Sequence, residues 1–469
     1  MSSPGNSGAN AAGDPSTICI EFLKCIEESK RWQADLITEI HRSHSEDGNN
    51  TLRALFTNSS LSSSNDKVYE FAALVLAKLR FPEMEERCER IGKAHHRTFE
   101  WIYNDPMVNF VHWLEMESAH YWITGHPGSG KSTLMKFIRE DQRTQDCLTK
   151  WAAPKRLVTA AFFFWKSGTQ MQMSQTGLLQ SLLFEALSQC QDLIARVFPA
   201  QWEAYILFGD PVNEYWTETE LEHAFKRLIE ETSSTVKFCF WIDGMDESRG
   251  DPVGLKGLFM DVLCSPYQVK LCVSSRPWVV FEEAFGQGRK LSLQDLTRPD
   301  IQHFVTSRLC AHPIFHQMQQ REPECAIQLR DGIVVKASGI FLWVELVLRS
   351  LLAGLTYGDR ISDLKRRLDS LPPELDDLIM KILSSLDSFY FEQAAQLFQL
   401  IRASLSPPTL LSLYLADEEQ PDFYAQCEKR FLTYEEMKFR VETMRRRVTS
   451  RCKGLLEMAP NSQVWQLYS

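Results

Sequence analysis

The chain has 469 residues, 44% of them hydrophobic and 24% charged, which suits a globular protein of about three domains and excludes a fibrous or low-complexity one. A net charge of −10 argues against a duplex-binding protein, because phosphate contacts need a basic face. Twelve cysteines lie scattered from Cys19 to Cys452 with no C-x-x-C pair, which excludes a zinc or redox signature and a disulfide framework and points to a reducing, cytoplasmic setting.

Residues 1–16 are mostly Gly, Ser, Asn, Ala and Pro, with no basic start and no apolar core, so they read as a disordered N-terminus and not as a signal peptide. Over 17–40 the residues Leu23, Ile26, Leu36, Ile37 and Ile40 repeat at helical spacing. The stretch 43–66 is polar, rich in Ser and Asn, and reads as a linker. A second helix is expected over 68–79, stopped by Pro82. A third is expected over 83–103, charged at first and then carrying Phe99, Trp101 and Ile102. Residues 17–80 therefore form one helical region and 81–115 a helical connector.

Residues 119–124 are a short apolar run that reads as a buried parallel strand. It delivers Gly125, His126, Pro127, Gly128, Ser129, Gly130, Lys131, Ser132 and Thr133, the G-x-x-x-x-G-K-S pattern of a phosphate-binding loop (Walker A). Gly125, Gly128 and Gly130 are expected to take positive φ, so that successive backbone N–H groups face an anion. Lys131 carries charge to the β- and γ-phosphates, and the Ser132 hydroxyl is placed to ligate Mg²⁺. Leu134, Phe137 and Ile138 mark one face of the following helix, whose N-terminal dipole favours the phosphates. The plain alternative is a Gly-rich turn before a lysine; strand, loop and helix in register argue against it.

Further strands are expected over 156–165, 236–242 and 269–274. Helices are expected over 176–197 and 219–231, the latter opened by a Thr219/Glu222 capping box. Strands alternating with helices give an α/β domain with a parallel sheet covered on both faces, spanning 116–296. After Leu296 the strand signal ceases. Thr297 and Asp300 read as another capping box, and helices follow over 301–309, 325–337, 340–352 and 362–368. The greasy run 340–355 holds Glu345 and Arg349 at i, i+4 and falls short of a membrane span. Pro372 and Pro373 divide a helical block, 297–371, from a C-terminal helical domain, 372–469, ending in a basic helix over 434–452. The basic residues there alternate with Phe439, Val441, Met444 and Val448, which favours a solvated face over a nucleic-acid or lipid surface.

The strand ending at Asp243 is followed by Gly244, Asp246 and Glu247 (F-W-I-D-G-M-D-E, a Walker B pattern). A carboxylate at a strand end suits Mg²⁺, which keeps waters and takes one or two carboxylates with substrate phosphates. Asp246 and Glu247 are placed to orient and deprotonate an attacking water. A solvated acidic turn after a core strand is the alternative. The next strand ends S-S-R-P, so Arg276 should emerge near the γ-phosphate, where a guanidinium stabilises transition-state charge; a surface arginine is the alternative.

G-H-P-G-S-G-K-S-T, F-F-F-W, F-W-I-D-G-M-D-E and S-S-R-P, in this order, resemble the NACHT-type P-loop NTPases of the STAND class. The closest resemblance is to their fungal NLR-like branch, with its nephrocystin-type P-loop region. R-F-P-E-M-E-E-R (80–87) and T-F-E-W-I-Y (98–103) resemble that branch's connector. S-G-I-F-L-W-V (338–344) and L-P-P-E-L (371–375) resemble its helical lid, and R-R-R-V-T-S-R-C-K-G-L-L-E (445–457) the helical region beyond. The resemblance implies phosphate and Mg²⁺ binding by Lys131, Ser132 and Thr133, and an Mg²⁺ carboxylate in Asp243. It also implies catalytic acids in Asp246 and Glu247 and a γ-phosphate sensor in Arg276. Many relatives continue into ankyrin, WD40 or tetratricopeptide arrays, and no such array and no Met-His-Asp motif is visible here. The resemblance further implies a slow ATPase or GTPase switch that homo-oligomerises with nucleoside triphosphate and drives an unknown downstream protein through an effector or adaptor in 17–80. The lack of an N-K-x-D motif tilts the choice to ATP. The lid, 297–371, and the connector around 98–103 should close over the nucleotide. A constitutive P-loop ATPase or kinase-like phosphotransferase, and a nucleotide-binding scaffold without turnover, stay open as alternatives.

Overall fold

The structure is a computed structural model that describes residues 61–116, 120–209, 215–263, 269–386, 388–404, 408–417, 432–452, 455–458 and 465–467. The expected disordered start 1–16, the helix over 17–40 and the linker up to residue 60 lie outside these. The chain divides into two compact units. Among the described residues, one holds 61–75 and 194–209 and the other the remainder.

In the smaller unit, Phe71 is fully buried, with its ring 5.2 Å from that of Trp202 and 5.5 Å from that of Tyr205. The Tyr205 hydroxyl donates to Glu70 (2.8 Å). The helix carrying Phe71 runs Leu61–Leu79, so it starts inside the stretch expected to be linker.

The larger unit is built on a five-stranded sheet of β1 (His120–Thr124), β2 (Arg156–Phe163), β3 (Val236–Asp243), β4 (Val269–Ser275) and β5 (Arg289–Ser292). Their order is β2-β3-β4-β1-β5, and every pairing is parallel. All residues of β3 and β4 are buried, as continuous apolar runs covered by helices on both faces should be. Two placements follow for the site. β4 lies between β1 and β3, so the C-terminal ends of the three strands that carry the motifs are neighbours. β5 was not foreseen, because R-K-L-S is a four-residue edge strand with only Leu291 buried.

Three expected elements are corrected. The helix over 83–103 is instead two short helices, Glu86–Arg90 and Trp101–Asn104, joined by a loop in which Arg97 and Phe99 take positive φ. The capping box of the helix Glu218–Thr232 is Thr217 with Glu220, two residues earlier than read, because Thr219 is already inside the helix. Thr297 and Asp300 form no box. Thr297 donates to the Gly339 carbonyl (3.1 Å), and Asp300 accepts from the Phe99 N–H (3.0 Å) and the Trp101 indole N–H (2.7 Å). Asp300 thus ties the connector to the first helix of the following block, Arg298–Cys310. The positive φ of Phe99 costs on the order of 1–2 kcal/mol, which those two bonds and the burial of its ring offset.

After residue 297 helices dominate, including Pro323–Ala337, Phe341–Thr356 and Ile361–Ser370 around a core of Trp343, Val347, Leu351 and Leu364. The C-terminal region is not all helical: β6 (Leu456–Met458) pairs antiparallel with β7 (Trp465–Leu467). Strands of three residues are too short to leave a periodic pattern. In the helix Tyr434–Arg451, Arg445 and Arg446 pair with Glu442, and Arg447 and Arg451 converge on Asp417. Four arginines of that basic run thus share two carboxylates within the chain. No helix among the described residues is long and apolar enough to cross a membrane.

Candidate functional site

β1 ends at Thr124 and the loop passes directly into the helix Lys131–Glu140. Gly128 and Gly130 have φ of 71° and 96°, a region that L side chains enter only with strain. Gly125 does not, contrary to expectation; a Cβ there would stand 2.7 Å from the Ser129 hydroxyl oxygen, so a larger residue would have to displace that side chain. Leu134, Met135 and Ile138 are fully buried and anchor the helix, each side chain contributing about 1.5–3 kcal/mol. Phe137 turns instead to the connector, its ring 6.0 Å from Phe99 and 6.2 Å from Tyr103. Gly130 caps the helix without a side chain, so the first-turn N–H groups are left to face the loop's hollow. The Lys131 ammonium folds over that hollow and donates to the carbonyls of Gly125 (2.9 Å) and His126 (3.1 Å). Burial lowers its pKa, and Asp246 and Asp243 work in the opposite direction.

Asp243 ends β3 fully buried. One oxygen accepts from the Ser274 hydroxyl (2.5 Å), while Oδ2 is buried without a hydrogen-bond partner. Burial raises this carboxyl, and the Ser132 and Ser274 hydroxyls pull it back. An orphaned buried carboxylate oxygen beside a hydroxyl is the donor set that a hard divalent cation needs, so the residues present fit Mg²⁺. Gly244 turns the chain with φ of 69°, and a single 3₁₀ turn, Met245–Glu247, then presents two acids.

Those acids have different surroundings. Asp246 Oδ1 accepts from the Arg276 backbone N–H (2.9 Å) and Oδ2 meets the Arg276 Nε (3.0 Å), so both oxygens are engaged by one arginine. Glu247 accepts a bond from the Lys166 backbone N–H (2.8 Å), and burial raises its carboxyl above the ordinary range, with Arg87 opposing. Arg276→Ala is expected to weaken binding of a triphosphate more than of a diphosphate. Asp246→Asn should follow Arg276→Ala and not Glu247→Gln, because it loses the partner that holds that guanidinium. Calorimetry with Mg-ADP and with a non-hydrolysable ATP analogue checks both, and equal losses for the two nucleotides would mark the pair as structural.

A cavity of about 330 Å³ joins Lys131, Ser132, the two acids and Arg276, while Asp243, fully buried, is not part of its lining. Its lining includes Gly128, Lys131, Ser132, Thr133, Asp246, Glu247 and Arg276, and, from the flanking segments, Arg87, Arg90, Phe341, Leu342 and Glu345. The Leu342 N–H donates to the Gly128 carbonyl (3.1 Å), so the start of the helix Phe341–Thr356 sits on the phosphate loop itself. The connector reaches the cavity through 87–92 and not through 98–103. Phe99 backs it from behind, ring to ring with Phe341 at 6.3 Å. Arg87, Arg90 and Glu345 were not picked out in the sequence. The arginines sit in a charged run that reads as solvated, and Glu345 reads as half of a helix-surface pair with Arg349, which it also is.

A glycine turn that leads from the end of β1 into a helix N-terminus, with an acid-bearing turn at the end of β3, defines a P-loop NTPase. Residues 97–276 match the family model of the nephrocystin 3 N-terminal region, and residues 385–468 match that of a domain of unknown function, DUF7791. The vegetative incompatibility protein HET-E-1 of Podospora anserina is 24% identical over 359 residues, which cover 74% of this chain and 25% of that protein. The chain thus spans a quarter of that relative's length. More narrowly, the nephrocystin 3 and HET-E-1 matches support a NACHT/STAND-like P-loop NTPase. Among solved structures, Drosophila ORC bound to DNA overlays with a TM-score of 0.34 at 13% identity, covering 84% of this chain and 87% of that one. Cdc6p from Pyrobaculum aerophilum gives 0.33 at 13% identity, covering 82% and 94%.

Proposed function

We propose that this protein is a nucleotide-controlled switch of the NLR type, which binds Mg-ATP in the cavity, hydrolyses it slowly, and changes its self-assembly with the nucleotide held. One observation carries the reading. The cavity is lined together by the phosphate loop, by the turn after β3, by Arg276 at the end of β4, and by two segments flanking the sheet domain, 87–92 and the start of Phe341–Thr356. A nucleotide there touches everything that has to move. This favours a switch over a constitutive ATPase, a kinase-like phosphotransferase or an inert scaffold.

The residues divide the work. Lys131, the loop N–H groups and Thr133 bind phosphate, and Asp243 with Ser132 holds Mg²⁺. The ion, when bound, neutralises phosphate charge. Glu247 accepts the proton of a water whose oxygen attacks the terminal phosphorus, and the bridging oxygen leaves with its electron pair as diphosphate. Arg276, steadied by Asp246, stabilises charge on the transferred group. Residues 1–80 pass the state to a downstream protein in the cytoplasm, and vegetative incompatibility, the role in the Podospora relative's name, is the kind of output we assign.

A bound ligand can bias two arrangements only by its differential contacts, here on the order of a few kcal/mol. Glu247→Gln with Mg-ATP is therefore expected to give a larger assembly than ADP-bound wild type by light scattering. Identical masses in the two states would reject the switch and leave the constitutive enzyme or the scaffold.

A further inference from the structure

Two arginines on the wall of the cavity have no task in the scheme above. Arg87 and Arg90 lie in and just after the first turn of Glu86–Arg90, three residues apart, and so on one side of that short helix. Both guanidinium groups lie over the ring of Trp165, at 5.5 Å and 5.1 Å from its centroid. Trp165 is fully buried just beyond the end of β2, so the platform under them is fixed. The Arg90 side chain is only 9% exposed. One of its terminal nitrogens bonds Glu86, while Nη1 is buried with no hydrogen-bond partner, and Nε of Arg87 is buried without one as well.

Buried guanidinium N–H groups are normally satisfied, because leaving one unpaired keeps the full desolvation penalty. Here two unsatisfied groups belong to adjacent residues of the same cavity wall. Of the acids that share the cavity, Asp246 is held by Arg276 through both oxygens, Glu345 is paired with Arg349, and one oxygen of Glu247 takes the Lys166 N–H. The Arg87 charge is close enough to hold down the carboxyls of Asp243 and Glu247. An acceptor that meets both arginines must be anionic, must carry several oxygens, and must enter beside Lys131 and Glu247.

We propose that Arg87 and Arg90 are a second phosphate clamp, which grips the terminal phosphate of the nucleoside triphosphate from the β2 side, across β3 from Arg276. It rests on the triphosphate reading of the cavity. The clamp makes the connector a sensor. Arg276 directly follows β4, whereas Arg87 and Arg90 come from outside the sheet, so a terminal phosphate held by both joins the connector's side chains to the strand ends. A diphosphate leaves the two guanidinium groups to Trp165 and Glu86, while Lys136 holds the segment's backbone through the carbonyls of Cys88 (2.7 Å) and Ile91 (2.9 Å). Guanidinium suits the place because its planar fork meets two phosphate oxygens at once while its face stacks on an indole.

The test is calorimetry of the full chain with Mg-AMPPNP and with Mg-ADP. Arg87→Gln/Arg90→Gln is expected to raise the Kd for Mg-AMPPNP about 10- to 100-fold, the effect of one to two charge-assisted hydrogen bonds, and the Kd for Mg-ADP less than about threefold. Arg87→Lys/Arg90→Lys keeps the charge over Trp165 but loses the fork. It should shift the ratio of the two constants in the same direction by a smaller factor, and it decides alone if the Gln variant does not fold. A wild-type ratio in a folded variant overturns the clamp. Lys131→Ala separates the two readings: if it weakens Mg-AMPPNP while the arginine variants leave the ratio unchanged, only the clamp falls. If Lys131→Ala binds like the wild type, the triphosphate site falls and the clamp with it.

Discussion

Lys131→Ala is expected to weaken Mg-ATP binding about 10²- to 10³-fold, the scale of losing two charge-assisted hydrogen bonds at about 1.5–3 kcal/mol each, discounted for non-additivity. The geometry of the loop shows where that energy comes from. The ammonium is half-buried over the hollow and is held by two loop carbonyls, Gly125 and His126, so it is already positioned when a phosphate arrives. Burial disfavours its charge before binding, and the β- and γ-oxygens then supply the counter-charge that Asp246 and Asp243 supply only at a distance. The backbone N–H groups of the loop do not depend on Lys131, so some diphosphate affinity should survive. The variant should also stay folded, because Leu134, Met135 and Ile138 anchor the helix and the two lost carbonyl bonds are worth about 1 kcal/mol each. Calorimetry with Mg-ATP on a variant of near wild-type melting temperature checks the prediction, and unchanged affinity would sink the phosphate-loop assignment.

The sheet and the heart of the site were legible in the sequence because both are written locally. A strand buried on two faces must be a continuous apolar run, and V-K-F-C-F-W-I-D and V-K-L-C-V-S-S are that apart from one lysine each and the polar C-terminal ends, Asp243 and Ser274–Ser275, that face the site. A phosphate loop must have glycine where φ is positive, and Gly128 and Gly130 stand at those places. Even the position of Arg276 followed from the chain, since its strand had to lie beside β1 or β3; it lies beside both.

What escaped was set by partners distant in sequence. Asp300 sits where a capping residue would, four residues into a helical signal, yet its carboxylate goes to Phe99 and Trp101, some two hundred residues earlier. The run E-E-R-C-E-R has the composition of a solvated helix, and only Trp165, brought over from the end of β2, makes it a wall of the cavity. Asp246 and Glu247 are adjacent and chemically alike, and no pattern ranks them. The structure separates them because Arg276 closes on both oxygens of Asp246, while Glu247 takes the Lys166 N–H. Sequence periodicity reports which face of an element is apolar, and says nothing of which charged side chain meets which.

Glu247→Gln is expected to leave Mg-ATP affinity nearly intact while slowing hydrolysis about 10²- to 10⁴-fold, the usual effect of removing a positioned base. The amide is isosteric, and its oxygen can still accept the Lys166 N–H, so the turn Met245–Glu247 should keep its shape. What is lost is the ability to take a proton. The same burial that makes Glu247 a stronger base fixes the pH response. Its carboxyl titrates above the ordinary carboxylate range, and only the ionised form can act, so wild-type hydrolysis should fall as pH drops through that raised value. Stability has the opposite sign. The folded, nucleotide-free chain holds this proton more tightly than the unfolded chain does, so folded stability falls as pH rises from the ordinary to the raised pKa. Glu247→Gln removes that cost. The nucleotide-free variant should melt above wild type near about pH 8, with the difference closing below about pH 4, as both states of the wild-type carboxyl become protonated. Single-turnover hydrolysis and thermal melts across pH read the two signs independently. Wild-type turnover in the variant would move the base elsewhere in the cavity, and a melting difference that grows toward acid pH would show that Glu247 is ionised at no cost in the folded chain.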